Sequence, residues 1–461
     1  MSGRGNGAPK GRQLTARELA MNVLTQVEQE GAYSNLLLNT ALQKASLEKG
    51  DAGLATELVY GTISRLNTLD YFLDRFVKKG TAKLQPWVRA LLRLSLYQII
   101  YLDRIPEHAV VSEAVNLAKR RGHQGISGMV NGVLRNILRQ KEDLVIPNNL
   151  PPADRISLRH SHPKWLVERW IKQYGEDTAE AICKANNEPP AVSVRVNTTM
   201  ISREAMLEEM KANGFEAVPS ELSSYGIIVK SGGNMALTEW YRDGMISIQD
   251  ESSMLVAEVV DPKPGMRVLD CCAAPGGKTA HMGEIMKDEG SIIANDLHSH
   301  KQKLIAQQAE RLGLDSIKTV TGNALDLAKA YEPASFDRIL LDAPCSGLGV
   351  IRRKPDLKWV KTPEDIGEII LLQRELLQSV SSLVRPGGVL VYSTCTVEPG
   401  ENEGTVSAFL AENPNFEVVH DDAGSMNRVL KSALSKGGGV QILPQHFHSD
   451  GFYIARLRRL S

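Results

Sequence analysis

Two cysteines carry the first chemical signal. Cys345 lies in Asp342-Ala343-Pro344-Cys345-Ser346-Gly347 and Cys395 in Ser393-Thr394-Cys395-Thr396, each just after an apolar run that reads as a strand. Loops at the carboxyl ends of strands are where α/β proteins carry functional groups. Two thiols and a carboxylate, Asp342, on such loops suit covalent catalysis on an unactivated substrate. Cys183 reads instead as a buried structural thiol. The five cysteines stand at 183, 271, 272, 345 and 395, with no CxxC pair and no zinc-ligand spacing. No metal is expected, and unpaired thiols fit a reduced, cytoplasmic compartment.

A second signal is the run Asp270-Cys271-Cys272-Ala273-Ala274-Pro275-Gly276-Gly277-Lys278-Thr279. Gly277-Lys278-Thr279 resembles the end of a Walker loop, but the glycine expected five residues before Gly277 is Cys272, and no G-x-G-x-x-G is present. What remains is a strand, a turn of small residues and a helix start. Such a turn brings a ligand close to the backbone and to the N–H groups of a helix N-terminus. Asp296 follows Gly276 by 20 residues and closes the next apolar run, the position of a carboxylate that accepts from a ribose diol. Asn323 closes the third, where an amide can read an adenine edge. The three together point to an adenosine-containing ligand.

These residues need a scaffold, and the hydrophobic pattern supplies one. Arg267–Asp270, Ser291–Asn295, Ile317–Thr321, Arg338–Asp342 and Gly388–Tyr392 read as strands, with helices at about 278–288, 299–312 and 365–384 between them. Strands alternating with helices predict a parallel sheet covered on both faces, hence a doubly wound α/β domain over 263–461. Residues 155–262 mix helices with short strands and predict a small α+β subdomain. Before them, Val88, Leu91, Leu92, Leu96, Ile99 and Ile100 recur at helical spacing, and residues 1–145 predict an all-helical domain. A Pro- and Asn-rich linker, from Pro147 to Pro152, follows it.

With 461 residues, 42% of them apolar and 23% charged, the chain is not a disordered one. No apolar run approaches the roughly 20 residues that cross a bilayer, and Met1–Gln13 lacks the apolar segment of a signal peptide. Overall charge is zero, but residues 1–145 hold 20 Lys+Arg against 13 Asp+Glu, a net of +7, and the remainder is −7. A basic helical domain on an acidic partner domain suggests that the first handles a polyanion, with Lys119-Arg120-Arg121, Arg135 and Arg139 as its best patch. A merely solvated surface is the competing reading.

Taken together, CCAAPGGKT, DAPCSG, STCT and Glu401-Asn402-Glu403 resemble the S-adenosylmethionine-dependent RNA cytosine-C5 methyltransferases. More narrowly, Arg352–Trp359 and the stretch from Leu443-Pro444 to Asp450-Gly451-Phe452-Tyr453 are similar to the bacterial small-subunit rRNA methyltransferase B (Sun/Fmu) group, and residues 15–140 to its NusB-like RNA-binding domain. The resemblance implies a helical NusB-like domain, a small α+β subdomain and a Rossmann-like class I methyltransferase domain. It implies S-adenosylmethionine as cofactor, held by Cys272, Ala273, Ala274, Pro275, Gly276, Gly277 and Lys278, with Asp296 on the ribose. Asn323 falls at the adenine-edge position, where relatives usually have Asp; its carbonyl still accepts a hydrogen bond. Asp342 falls beside cofactor and base, Cys395 on the nucleophile and Cys345 on the second cysteine. The implied partner is 16S rRNA, at a cytosine that is unpaired or extruded, and the chain is expected to act as a monomer. An RNA-binding assembly or antitermination factor with a vestigial methyltransferase fold, a nicotinamide dehydrogenase and a DNA methyltransferase are weaker alternatives. The complete loop and both cysteines disfavour the first, the missing G-x-G-x-x-G the second and the Thr-Cys cysteine the third.

Overall fold

The computed structural model describes residues 14–419 and 432–460, so Met1–Gln13 lies outside the described residues. Two compact units emerge: 1–187 with 354–360, and 188–353 with 361–461.

The first unit is helical. Seven helices run Ala16–Glu30, Ser34–Lys44, Lys49–Ser64, Leu66–Leu73, Pro86–Tyr101, Glu107–Arg121 and Gln124–Arg139, and three more follow over Pro152–His160, Lys164–Tyr174 and Glu176–Ala185. Their ends follow local chemistry. The Thr15 hydroxyl caps the first helix by accepting from Glu18 N, and Gly31 ends it in the left-handed conformation at φ 64°. Apolar positions converge on one core that includes Leu19, Leu58, Leu69, Leu91, Leu92 and Leu134. Each such leucine contributes about 1.5–3 kcal/mol on burial.

The unit's limits differ from the sequence-drawn division in two places. Helices from 152 to 185, read above largely with the α+β part, pack in the helical unit. So does 354–360, read with the carboxyl-terminal part. Ser34 Oγ donates to Asp356 (2.6 Å), the Trp359 indole donates to Ile63 O (2.8 Å), and the buried Lys358 ammonium donates to Ser64 O (2.9 Å). Hydrogen bonds so distant in sequence leave no local periodicity to read.

The second unit holds two sheets. Strands β1 (Val192–Val196), β2 (Glu216–Pro219), β3 (Gly226–Ser231) and β4 (Ile246–Ile248) form an antiparallel sheet in the order β2-β3-β1-β4. Ser202 caps the helix Arg203–Ala212, accepting from Ala205 N; Met206 and Met210 on that helix fill this sheet's core.

The larger sheet contains β5 (Arg267–Asp270), β6 (Ser291–Asp296), β7 (Ile317–Thr321), β8 (Phe336–Asp342), β9 (Val384–Thr394), β10 (Phe416–Val418), β11 (Val440–Ile442) and β12 (Phe452–Arg459). Its order is β10-β12-β9-β8-β5-β6-β7, with β11 pairing β12. The five strands read from sequence are β5 to β9 and are parallel to one another. The expectation of a purely parallel sheet is corrected at one edge, where β12 joins β9 antiparallel and β10 and β11 join β12 antiparallel. Alternate residues bury on opposite faces. Leu269, Ile293, Ile339, Leu341 and Leu390 pack one way with the helix Pro363–Ser381, while Val268, Ile292, Leu340, Val389 and Val391 pack the other way with the helix Glu251–Val260. Two buried faces explain why these strands read as continuous apolar runs.

A buried ion pair helps tie the small sheet to the large one. Arg195 on β1 and Glu284 on the helix Gly277–Ile285 form a bidentate pair, 2.8 Å on each arm, with side-chain exposures of 0% and 1%. The same guanidinium donates to Gly277 O (2.9 Å) and to Gln249 Oε1. Removing one member strands a buried charge, so Arg195→Met is expected to cost about 3–5 kcal/mol. Chemical denaturation checks this, with Arg195→Met/Glu284→Leu expected to be milder than the single change.

Candidate active site

The Gly-rich run leaves β5 and turns into the helix Gly277–Ile285. Gly276 takes φ 103°, and a Cβ there would lie 3.1 Å from the Ile305 backbone, so the turn needs glycine for both conformation and space. The first N–H groups of that helix have no intrahelical acceptors and face the turn. Asn295 braces the turn from β6, its Nδ2 donating to Cys271 O (2.9 Å) and Gly322 O (3.1 Å) while its backbone carbonyl accepts from Ala273 N (2.8 Å). Thr279 Oγ1 donates to Asp270 Oδ2 (2.6 Å) beneath it.

A cavity of about 150 Å³ opens over this turn, lined by Asp270, Cys272, Ala273, Ala274, Pro275, Gly277, Lys278 and Asp342. Of the residues predicted to bind cofactor, Gly276, Asp296 and Asn323 are not in its wall. Gly276 works through the shape of the turn. Asp296 ends β6 and spends its oxygens on Ala274 N (3.2 Å) and His298 N (3.1 Å), with Lys301 Nζ at 3.9 Å. The exposed Asn323 caps a short turn, its Oδ1 accepting from Leu325 N (3.1 Å), so its acceptor is already partly engaged. Ile248, Gln249 and Ser253, at the junction of β4 and the helix Glu251–Val260, also line the cavity. Sequence reading missed these three, because only the docking of the small sheet brings them here.

Across the cavity, Lys278 Nζ donates to Asp342 Oδ2 at 2.6 Å. Burial pulls the Lys278 ammonium towards neutrality, but Asp342, with help from Cys395 and Asp270, outweighs it and raises its pKa. Ser393 Oγ donates to Asp342 Oδ1 (2.8 Å), completing a carboxylate held from both sides. Neither the ion pair nor this hydroxyl was read from the sequence, although Lys278 was assigned a supporting role.

Cys345 and Cys395 meet with their sulfurs 3.2 Å apart. They do not line the cavity over the turn, but Lys278, which does, is close enough to Cys395 for that sulfur to raise its pKa. β8 and β9 are neighbours, and Asp342 pairs with Ser393, so the loops leaving them run side by side. Behind Cys395, its carbonyl accepts from Gly349 N (3.0 Å), and Gly349 O accepts from Gly451 N (2.8 Å), an approach with no room for a side chain on Gly349. Cys183, Cys271 and Cys272 are pushed towards the thiol form by burial. The Cys345 thiol is also pushed up, but first by its hydrogen bond to Cys395 and then by burial.

Comparison with known proteins gives the family and the fold. Residues 257–458 match the family model 16S rRNA methyltransferase RsmB/F, 14–139 match the NusB family, and 162–236 match the ferredoxin-like domain of RsmF/B-like methyltransferases. A Bacillus subtilis (strain 168) relative, "Probable ribosomal RNA small subunit methyltransferase B", is 44% identical over 97% of this chain and 99% of its own length. The chain belongs to the ribosomal RNA small subunit methyltransferase B family. A Pseudomonas syringae pv. tomato member is 36% identical over 97% of this chain and 98% of its own. Among solved structures, PH0851 superposes with a TM-score of 0.79 at 27% identity, covering 98% of this chain and all of that one. A methyltransferase homologue from Pyrococcus horikoshii does so at 0.59 and 30%, covering 68% of this chain and all of that one. The family resemblance and fold class read from the motifs are thus borne out: a NusB-type helical part and a Rossmann-like methyltransferase part. Among the described residues no helix of this small-subunit methyltransferase B relative is long and apolar enough to cross a membrane.

Burial pushes the Asp270 carboxyl up to about 7. Its unfolded value is about 3.9, so between these values the native state holds a proton that the unfolded state has lost. The stability this contributes is present at acid pH and is lost as pH rises through that window. Between about pH 5 and about pH 8 the urea midpoint should fall more in the wild type than in Asp270→Asn.

Proposed function

We propose that the chain transfers a methyl group from S-adenosylmethionine to carbon 5 of a cytosine in small-subunit (16S) ribosomal RNA, through a covalent bond between Cys395 and carbon 6 of that base. The observation that carries the reading is the cysteine pair, 3.2 Å apart, beside an ion pair that lines the cavity over the Gly-rich turn. The names of the relatives supply the substrate class.

The cavity suits the cofactor. Backbone from Cys272 to Gly277 forms the cradle, the helix N-terminus faces it, and Asp296 anchors the loop at the end of β6, with carboxylate lone pairs to spare for a ribose diol. When bound, the cofactor supplies an electrophilic methyl group. Carbon 5 of cytosine is too weak a nucleophile to take it unaided. Addition of the Cys395 thiolate to carbon 6 makes carbon 5 enamine-like and able to attack. Cys395 must attack as the thiolate, and the Cys345 thiol, pushed up by its contact with Cys395 and by burial, lies within hydrogen-bond reach of that sulfur. Asp342 accepts from the exocyclic amino group, and the Lys278 ammonium offsets charge that builds on the ring. A water beside Cys345, or Cys345 once its own proton has passed to solvent, then takes the carbon 5 proton, and the carbon 6–sulfur bond breaks to release Cys395 as a thiolate. The base must be unpaired or extruded to reach the sulfur.

The helical part holds the RNA in this reading. Lys119, Asn131 and Arg135 line one groove of about 680 Å³ along the helices Glu107–Arg121 and Gln124–Arg139, with Arg120, Arg121 and Arg139 exposed nearby. We further propose a three-part chain of RNA-binding, α+β and methyltransferase segments near 1–145, 155–262 and 263–461, acting as a cytoplasmic monomer.

Cys395→Ala should lose methyl transfer to rRNA while still binding S-adenosylmethionine; normal turnover would remove it as nucleophile. Cys345→Ala should accumulate a denaturant-resistant protein–RNA adduct, seen as a shifted band on a denaturing gel. Replacing Lys119 and Arg135 by Gln should weaken RNA binding at low salt and lower the slope of log affinity against log salt by about 2, since each phosphate contact contributes about 0.9.

A further inference from the structure

Glu401 belongs to a motif that the reaction does not use. It has no exposed surface, and its carboxylate is surrounded by donors from both cysteine loops. Oε2 accepts from Ser346 N (2.9 Å) and from Gln373 Nε2 (3.0 Å); Oε1 accepts from Ser346 Oγ and from Thr396 Oγ1 (3.3 Å). Ser346 follows Cys345, and Thr396 follows Cys395. The two hydroxyls also contact each other at 2.8 Å. Gln373 reaches further, its Nε2 donating to Pro344 O (2.9 Å) just before Cys345. The carboxylate thus takes two contacts from the residue after Cys345, one from the residue after Cys395 and, through Gln373, a link to the residue before Cys345. Asn402 is different. Its Oδ1 accepts from Thr394 Oγ1 (2.5 Å) and its Nδ2 donates to Thr396 O (3.0 Å), so it brackets Cys395 alone.

We propose that Glu401 is a positioning residue that fixes the separation of Cys345 and Cys395 by clamping the two loops to one carboxylate. A carboxylate has about four acceptor sites, and four donors occupy them. None is left for substrate, so Glu401 acts through the cysteines and not on the base. Releasing the Ser346 N arm would leave a buried N–H without a partner, and releasing the others would cut their donors back to one partner each. Glu401 itself is held across the motif, with Tyr392 Oη donating to its carbonyl (2.6 Å) and its N–H donating to Glu398 O (3.1 Å). Gln can replace it with little loss. The amide oxygen keeps Ser346 N and Gln373, and the amide nitrogen donates to the two hydroxyls, which can accept.

This inference rests on the cysteine pair being the reactive pair. The test therefore uses two readouts on the full-length protein, one of which needs no turnover. In the first, Glu401→Ala should lower kcat for rRNA methylation by about 10²-fold, the loss expected from a displacement near 1 Å. KM for S-adenosylmethionine should stay within about two-fold, since the cofactor cavity is untouched. Glu401→Gln should restore most of the rate. In the second, diamide is added in the absence of RNA, and the Cys345–Cys395 disulfide is mapped by peptide mass spectrometry. The two thiols lose two protons and two electrons to diamide, which is reduced to the hydrazine. Wild type and Glu401→Gln should cross-link at similar rates and Glu401→Ala at least about ten-fold more slowly, because the sulfurs must meet for the bond to form.

Wild-type turnover and wild-type cross-linking in Glu401→Ala overturn the clamp. So does a Glu401→Gln variant as impaired as the Ala variant in both readouts, since the role would then be charge and not position. If Glu401→Ala does not fold, Ser346→Ala, which removes one arm, should show a smaller loss in both readouts; no loss overturns the proposal. A Cys395→Ala variant that still methylates rRNA defeats the catalytic reading instead, and leaves the cross-linking result as the measure of the clamp.

Discussion

Two sulfur atoms can stay 3.2 Å apart only if the backbones carrying them are neighbours in fixed register. The parallel pairing of β8 with β9 supplies that constraint. Asp342 stands opposite Ser393, Ala343 N donates to Ser393 O, and Ser393 Oγ reaches across to the Asp342 carboxylate. Carboxylate and cysteine pair are therefore set by one stretch of ladder. A slip of either strand by one residue would put Asp342 and Ser393 on opposite faces of the sheet and separate the loops. Two buried faces of aliphatic side chains oppose such a slip, since it would exchange the two packed layers.

Buried charge is arranged around this ladder in pairs. Lys278 and Asp342 face each other across the mouth of the cavity, and Arg195 and Glu284 lock the helix that begins at the Gly-rich turn. Each pair costs desolvation, and each is surrounded by further hydrogen bonds that make the cost bearable. The consequence is a turn braced on several sides by the protein's own side chains. Asn295, Thr279 and Asp296 hold it from below and beside, so the N–H groups of the helix start remain aimed at the cavity.

Much of this could be read along the chain. The strands β5 to β9 and the helices between them announce themselves as apolar runs alternating with amphipathic stretches. The Gly-rich turn, Asp296, Asp342 and both cysteines are legible because strand ends in α/β folds carry function. The edge strands β10 to β12 escaped. Phe416–Val418 and Val440–Ile442 are too short for a period to show, and Phe452–Arg459 stood out only as part of a motif. Segment 354–360 looked like a loop of the catalytic part, yet Trp359 and Lys358 bond to carbonyls of a helix some 290 residues earlier.

Residue type and local order by themselves determined the family, the class of each half of the chain and which side chains have the chemistry to react. Those follow from short-range physics: periodicity, turn preference and the nucleophilicity of a thiol. Tertiary structure alone decided which groups touch. The pairing of Cys345 with Cys395, the ion pair of Lys278 with Asp342, the entry of Gln249 and Ser253 into the cavity wall and the four donors around Glu401 all join residues far apart in the chain or on different elements. Such contacts depend on strand order and register, which are settled by packing of the whole unit and leave no mark in any local window of sequence.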